Sequence, residues 1–126
     1  MILCDTNILI EFYKSDTRVI NTLKTIGQEN FSISVITQAE LFYGAKNKTE
    51  LYQLKNHLSS CLRHSITEDI SALFVDLMLR YSLSHKVTIP DMLIAATAIT
   101  HKIQLYTLHI KDFNFIPELS LYTPKV

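Results

Sequence analysis

The chain has 126 residues, 48% of them hydrophobic and 19% charged, enough for one hydrophobic core and one domain, residues 1–126. Twelve basic and twelve acidic residues cancel, which excludes a general electrostatic attraction to nucleic acid, so any basic surface has to be local. No apolar run reaches the ~18 residues of a membrane span.

The first segment, MILCDTN, carries four apolar residues straight into Asp5. It reads as a buried strand, Ile2–Cys4, and the early acid and missing basic flank argue against a secretory signal. Cys4 and Cys61 both lie in apolar runs, as small buried hydrophobes rather than a disulfide or metal pair. A soluble, cytoplasmic protein is expected. Val19, Ile20, Leu23 and Ile26 then mark a short helix, and Phe31–Ser34 a second strand. Thr37 and Glu40 have the T-x-x-E spacing of a capping box early in the next helix. Leu51, Leu54, Leu58, Cys61 and Leu62 mark a further helix, followed by a strand at Arg63–Ile66. The clearest helix places Ile70, Leu73, Phe74, Leu77, Met78 and Tyr81 on one face. Its Asp76 and Arg80 are spaced as a surface ion pair. Pro90 opens an Ala-rich helix running to about His101, Gln104–Thr107 is a strand, and Ser120–Tyr122 a last one.

Strands alternate with helical stretches, the pattern of an α/β domain with a mainly parallel central sheet. In such a sheet strand carboxyl ends and helix amino ends meet at one edge, where ligands bind. Asp5 follows the first strand, Glu40 lies in the helix after the second, Asp91 in the first turn of the Pro90 helix, and Asp112 in the loop after Gln104–Thr107. Each acid alone has a plain explanation as a cap, a dipole partner or a turn residue. Four together repel one another, and a counter-cation relieves the repulsion. Carboxylates without Cys or His suit a hard ion, Mg²⁺ or Mn²⁺, in an open site that keeps waters on the metal. Such a site can activate a water for phosphodiester hydrolysis. One ion or two are equally compatible.

The motifs resemble those of PIN-domain proteins, specifically VapC-type toxin ribonucleases of type II toxin–antitoxin systems. ILCDTNILIEF is similar to the family's opening strand and Asp-Thr-Asn signature, and SISVITQAELFYGA to the second strand and the helix with the family glutamate. IPDMLIAATAITHKIQLYT resembles the helix with the third acid, and TLHIKDFNFIPEL the closing T-x-N-x-x-D-F motif. The resemblance spans essentially the whole chain. It implies a three-layer α/β/α fold and a metal-dependent endoribonuclease that hydrolyses RNA with a metal-activated water. It makes Asp5, Glu40, Asp91 and Asp112 the catalytic and metal-binding acids, Asp5 and Asp91 foremost. Asn7 and Thr107 become groups that orient them. It also implies a homodimer and a VapB-type antitoxin covering the site, with DNA contacted only through that antitoxin.

His109 stands where the closing motif usually has Asn, so the surroundings of Asp112 are the point of difference. A loop histidine is its plainer reading and a metal ligand the alternative. The other histidines show no H-x-x-x-H spacing. Arg18, Lys24, Lys46, Lys48, Lys55 and Lys111 are candidates to meet RNA phosphates. Tyr13, Phe42 and Tyr43 are candidates to stack bases, with solvated and core roles as the alternatives. Two other functions fit parts of the pattern. One is a PIN-fold binding protein whose catalysis has decayed. The other is a phosphoaspartyl phosphohydrolase with Asp5 as nucleophile, although such enzymes carry a second Asp where this chain has Asn7.

Overall fold

Strand β1 (Ile2–Cys4) runs through the middle of a four-stranded sheet, which is why it is an unbroken apolar run. The computed structural model describes residues 1–124. After β1 the chain forms α1 (Thr6–Tyr13) and α2 (Thr17–Ile26), then β2 (Phe31–Ser34), α3 (Val35–Tyr43) and α4 (Lys48–Leu58). It continues through β3 (Leu62–His64), α5 (Glu68–Tyr81), α6 (Ile89–His101) and β4 (Gln104–Tyr106), and closes with a 3₁₀ turn at Ile110–Asp112. The strand order is β3-β2-β1-β4, and every pairing is parallel.

Successive residues of each strand face opposite sides. Leu3 and Leu105 join a core with Ile70, Leu77, Met92 and Phe113 beneath α5 and α6. Ile2, Cys4 and Tyr106 join a second core with Ile8, Leu9, Val19, Leu41 and Leu58 beneath α1 to α4. The sheet is therefore sandwiched between two helical layers, the expected α/β/α arrangement. From β1 the chain crosses to β2 on one side, and from β3 it returns to β4 on the other. That reversal puts the carboxyl ends of β1 and β4 at a topological switch point. Among the described residues no helix is long and apolar enough to cross a membrane.

Several local expectations change. Ser34, not Thr37, caps α3: its hydroxyl accepts the Ile36 N–H at 3.1 Å, because β2 turns directly into the helix there. Helix α4 stops at Leu58 rather than reaching Leu62, since the Ser59 and Ser60 hydroxyls bond back to the Asn56 and His57 carbonyls. Leu62 starts β3 instead, half exposed on an edge strand, and β3 ends at His64, short of Ile66. Ser120–Tyr122 contributes one parallel bridge, Leu105 to Leu121, rather than a strand. Arg80 does more than pair with Asp76 at 3.2 Å. Its guanidinium also forks onto Glu118 at 2.6 and 3.2 Å, tying the segment after the 3₁₀ turn back to α5.

Candidate active site

Asp5 is the residue at which β1 ends and α1 begins. Its backbone is extended, its Oδ1 accepts the Thr6 N–H at 2.8 Å, and it occupies the N-cap position. Capping of α1 thus falls to Asp5 itself. The second carboxylate oxygen accepts from the Thr107 hydroxyl at 2.8 Å and the Asn7 amide at 3.1 Å. Asn7 in turn reaches Thr107 Oγ1 at 3.3 Å and accepts the Leu108 N–H at 3.1 Å. The Asp5 N–H donates to the Tyr106 carbonyl at 2.9 Å. One carboxylate is thereby locked between the ends of two neighbouring strands, by residues about a hundred positions apart in the chain.

Glu40 lies one and a half turns into α3 and is exposed, and its direction is set by Thr6. The Thr6 hydroxyl lies 2.7 Å from Glu40 Oε1 and 3.0 Å from the buried Thr37 hydroxyl. Thr6 was not among the candidate site residues; its place between Asp5 and Asn7 in the D-T-N triplet was the available signal. Asp91 occupies the first turn of α6, where Thr88 caps the helix through the Asp91 N–H at 3.2 Å. Asp112 lies at the end of the 3₁₀ turn and is exposed. The four acids thus grade from Asp5, 4% exposed, through half-buried Asp91 to Glu40 and Asp112 at the rim. Asp5 is thus the most enclosed of the four, and Glu40 and Asp112 are the most open to solvent.

The charges oppose one another. Burial pushes the Asp5 carboxyl up from 3.8 to about 6, against the pull of its hydrogen bonds to Thr107 and Thr6, and the fields of Asp91 and Glu40 add to the rise. Asp91 is also raised, by burial and then by Asp112 and Glu40, while His109 opposes the change. These couplings bring all four acids and His109 within electrostatic reach of Asp91. Their donors are all oxygen, apart from His109. Among the described residues no three His, Cys, Asp or Glu side chains already stand close enough to share one ion. Such acids fit a hydrated hard cation held by one or two carboxylates rather than a closed all-protein cage.

Beside the acids, a cavity of about 700 Å³ opens between α1, α3 and α4. Glu40 forms part of its wall, with Tyr13, Lys14, Lys46 and His57 around it. Tyr13 and His57 are tied together at 2.6 Å, so Tyr13 is exposed but partnered. Phe42 packs against the core, whereas Tyr43 is almost fully exposed. Of the basic candidates, Lys46 alone lines this cavity, joined by Lys14, which the sequence reading left out.

The sequence profile of the PIN domain matches residues 2–112. Ribonuclease VapC10 of Mycobacterium tuberculosis is 32% identical over 123 residues, 94% of this chain and 90% of that protein. A toxin–antitoxin complex from Klebsiella pneumoniae contains a chain that superposes with a TM-score of 0.82 at 32% identity, covering 99% of this chain and 98% of that one. VapBC2 of Rickettsia felis, bound to a DNA fragment from its promoter, gives a TM-score of 0.77 at 29% identity, covering 97% and 98%.

Proposed function

The chain belongs to the PIN-domain family, in its VapC branch, and from that premise we propose that it is a metal-dependent endoribonuclease, the toxin of a VapBC-type pair. The observation that carries this reading is the group of four mutually coupled acids. Asp5 is held rigid between β1 and β4 by Thr6, Asn7 and Thr107, with Asp91, Glu40 and Asp112 around it.

Asp5 and Asp91, the two least exposed acids, would hold Mg²⁺ or Mn²⁺, with Glu40 and Asp112 reaching it directly or through water. When bound, such an ion lowers the pKa of a coordinated water and neutralises phosphate charge. The Thr6 N–H on Oδ1, and Asn7 and Thr107 on Oδ2, keep the Asp5 carboxylate oriented, so binding a cation does not first have to order the side chain. Thr6 steers one Glu40 oxygen and leaves the other free to take a proton from the attacking water. Repulsion among the acids disfavours the bare site and rewards whatever brings positive charge to it. An RNA phosphate arriving with its cation does so, and so does a basic side chain from a VapB-type antitoxin covering the acids. The same reading places the protein in the cytoplasm, as a homodimer, with DNA contacted only through the antitoxin. Asn7, bonded to Asp5, Thr107 and Leu108, stands two residues after Asp5 where phosphoaspartyl enzymes carry their second Asp, which counts against that mechanism.

The test is expression in cells with RNA ends mapped, comparing wild type with Asp91→Asn, and cleavage by purified protein with and without EDTA. New ends that appear only with wild type, and cleavage abolished by chelation, are expected. Equal cleavage by Asp91→Asn, or cleavage indifferent to EDTA, overturns the reading.

A further inference from the structure

Away from the acids, two histidines stand ring to ring. His64 ends the edge strand β3 and is half-buried, and His101 lies exposed in the last turn of α6. Their ring centroids are 4.3 Å apart, with the planes inclined at 37°. His64 is also wired into the sheet. The Ser32 hydroxyl donates to the Ile2 carbonyl at 3.2 Å. Its oxygen therefore accepts from His64 Nε2 at 2.9 Å, which places the proton of the neutral ring on Nε2. One line of contacts thus runs from central β1 through β2 to β3 and on to the end of α6 remote from Asp91.

The contact suits neutral rings. Burial denies His64 part of the hydration a charge needs, and a charge on His101 at this spacing opposes a second one. Both hold the His64 imidazole below its usual 6.5. Among the groups packed around it, His101 is the one whose charge is felt. Ser32 of β2 is neutral, Arg63 points to the other face of β3, where Cys61 feels it, and Glu68, Asp69 and Lys102 are exposed to solvent. The strand that His64 anchors is three residues long, lies at the sheet edge and has Leu62 and Arg63 exposed. Such an element, with few buried contacts, is the first to open. We propose that the His64–His101 stack is an acid-released latch: neutral rings hold β3 to β2 and α6, and the doubly charged pair lets β3 open while the other strands stay paired. The opened state, in which the rings part, binds protons more readily than the closed one. Acid below about 6.5 therefore favours opening, and higher pH leaves the latch shut.

Asp5 titrates in an overlapping range with the opposite effect on stability, so a whole-protein melt mixes the two and the readout has to be local. The full chain and its His101→Gln variant, which changes an exposed residue, are followed by NMR from about pH 7.5 to 5.5. Histidine ring signals give each titration. Amide hydrogen exchange, corrected for its intrinsic pH dependence, gives protection strand by strand. In wild type, β3 protection should fall roughly tenfold on acidification, well inside what two charges at this spacing exert near a protein surface, while β1 protection holds. In His101→Gln the β3 loss should vanish and the His64 ring should titrate higher. The latch is overturned if β3 protection is indifferent to pH, falls equally in the variant or falls together with that of β1, or if the His64 titration does not move.

Discussion

The stability of the protein should depend jointly on pH and on divalent cation, through Asp5. In the folded chain its carboxyl titrates near 6 rather than 3.8. Each tenfold change in proton affinity is worth about 1.4 kcal/mol, so keeping Asp5 ionised costs on the order of 3 kcal/mol at pH 7.5. The sign follows from which state holds the proton more tightly. The folded state does, so the cost builds as pH rises from about 4 to 6 and stays level above. By pH 5 roughly half of it is relieved, and metal-free protein should melt about 5 °C higher there than at pH 7.5, from this group alone. A bound cation acts the other way, favouring the ionised form. At a hundred times its Kd and pH 7.5, Mn²⁺ should add about 2.7 kcal/mol, close to 10 °C for a chain of this size. At pH 5 about nine in ten Asp5 carboxyls are protonated, apparent affinity falls about tenfold, and the same Mn²⁺ concentration should add only half as much. The assay is a thermal melt at both pH values with and without Mn²⁺. An equal Mn²⁺ shift at pH 5 and pH 7.5, or no shift at either, would refute the reasoning.

Other outcomes follow from the same contacts. Asp91→Asn should lose at least about 100-fold in RNA cleavage yet melt no lower than wild type, since it removes a raised, half-buried carboxylate; a kcat/KM comparison with a melting curve checks both. Asp5→Asn should also be inactive but less well folded. Whichever oxygen becomes nitrogen, it meets a donor, Thr6 N–H on one side or the Asn7 amide on the other, at a cost of about 1–3 kcal/mol in urea unfolding against the relief of the buried charge. Thr6→Val should leave Glu40 unsteered, lowering cleavage about tenfold while costing stability only about 1 kcal/mol. Leu77→Ala, at a fully buried position on the inner face of α5, should cost about 2–5 kcal/mol in the same unfolding assay.

The architecture was legible because periodicity carries it. The 3.6-residue stripe from Ile70 to Tyr81 and the Ala-rich segment after Pro90 became α5 and α6, and the short apolar runs became parallel strands. Boundaries set by single hydroxyls were not legible. Whether Ser34 or Thr37 caps α3, and whether Ser59 ends α4, depends on where the backbone turns. The second partner of Arg80 lies 38 residues away, beyond any helical spacing rule.

For the site, local sequence was enough to bring the four acids to one edge. Alternation of strand and helix sends every strand end to the same side, whatever the side chains then do. Only the tertiary structure decided that Asp5 both caps α1 and stands buried and locked between two strand ends. Its second oxygen is held by Thr107 from the far end of the chain, and Thr6 rather than a capping box directs Glu40. Those facts depend on β1 and β4 lying side by side, a pairing that no local pattern encodes. The apolar strand that opens the chain determines that a carboxylate arrives at the switch point. Its neighbours in space determine how that carboxylate is held.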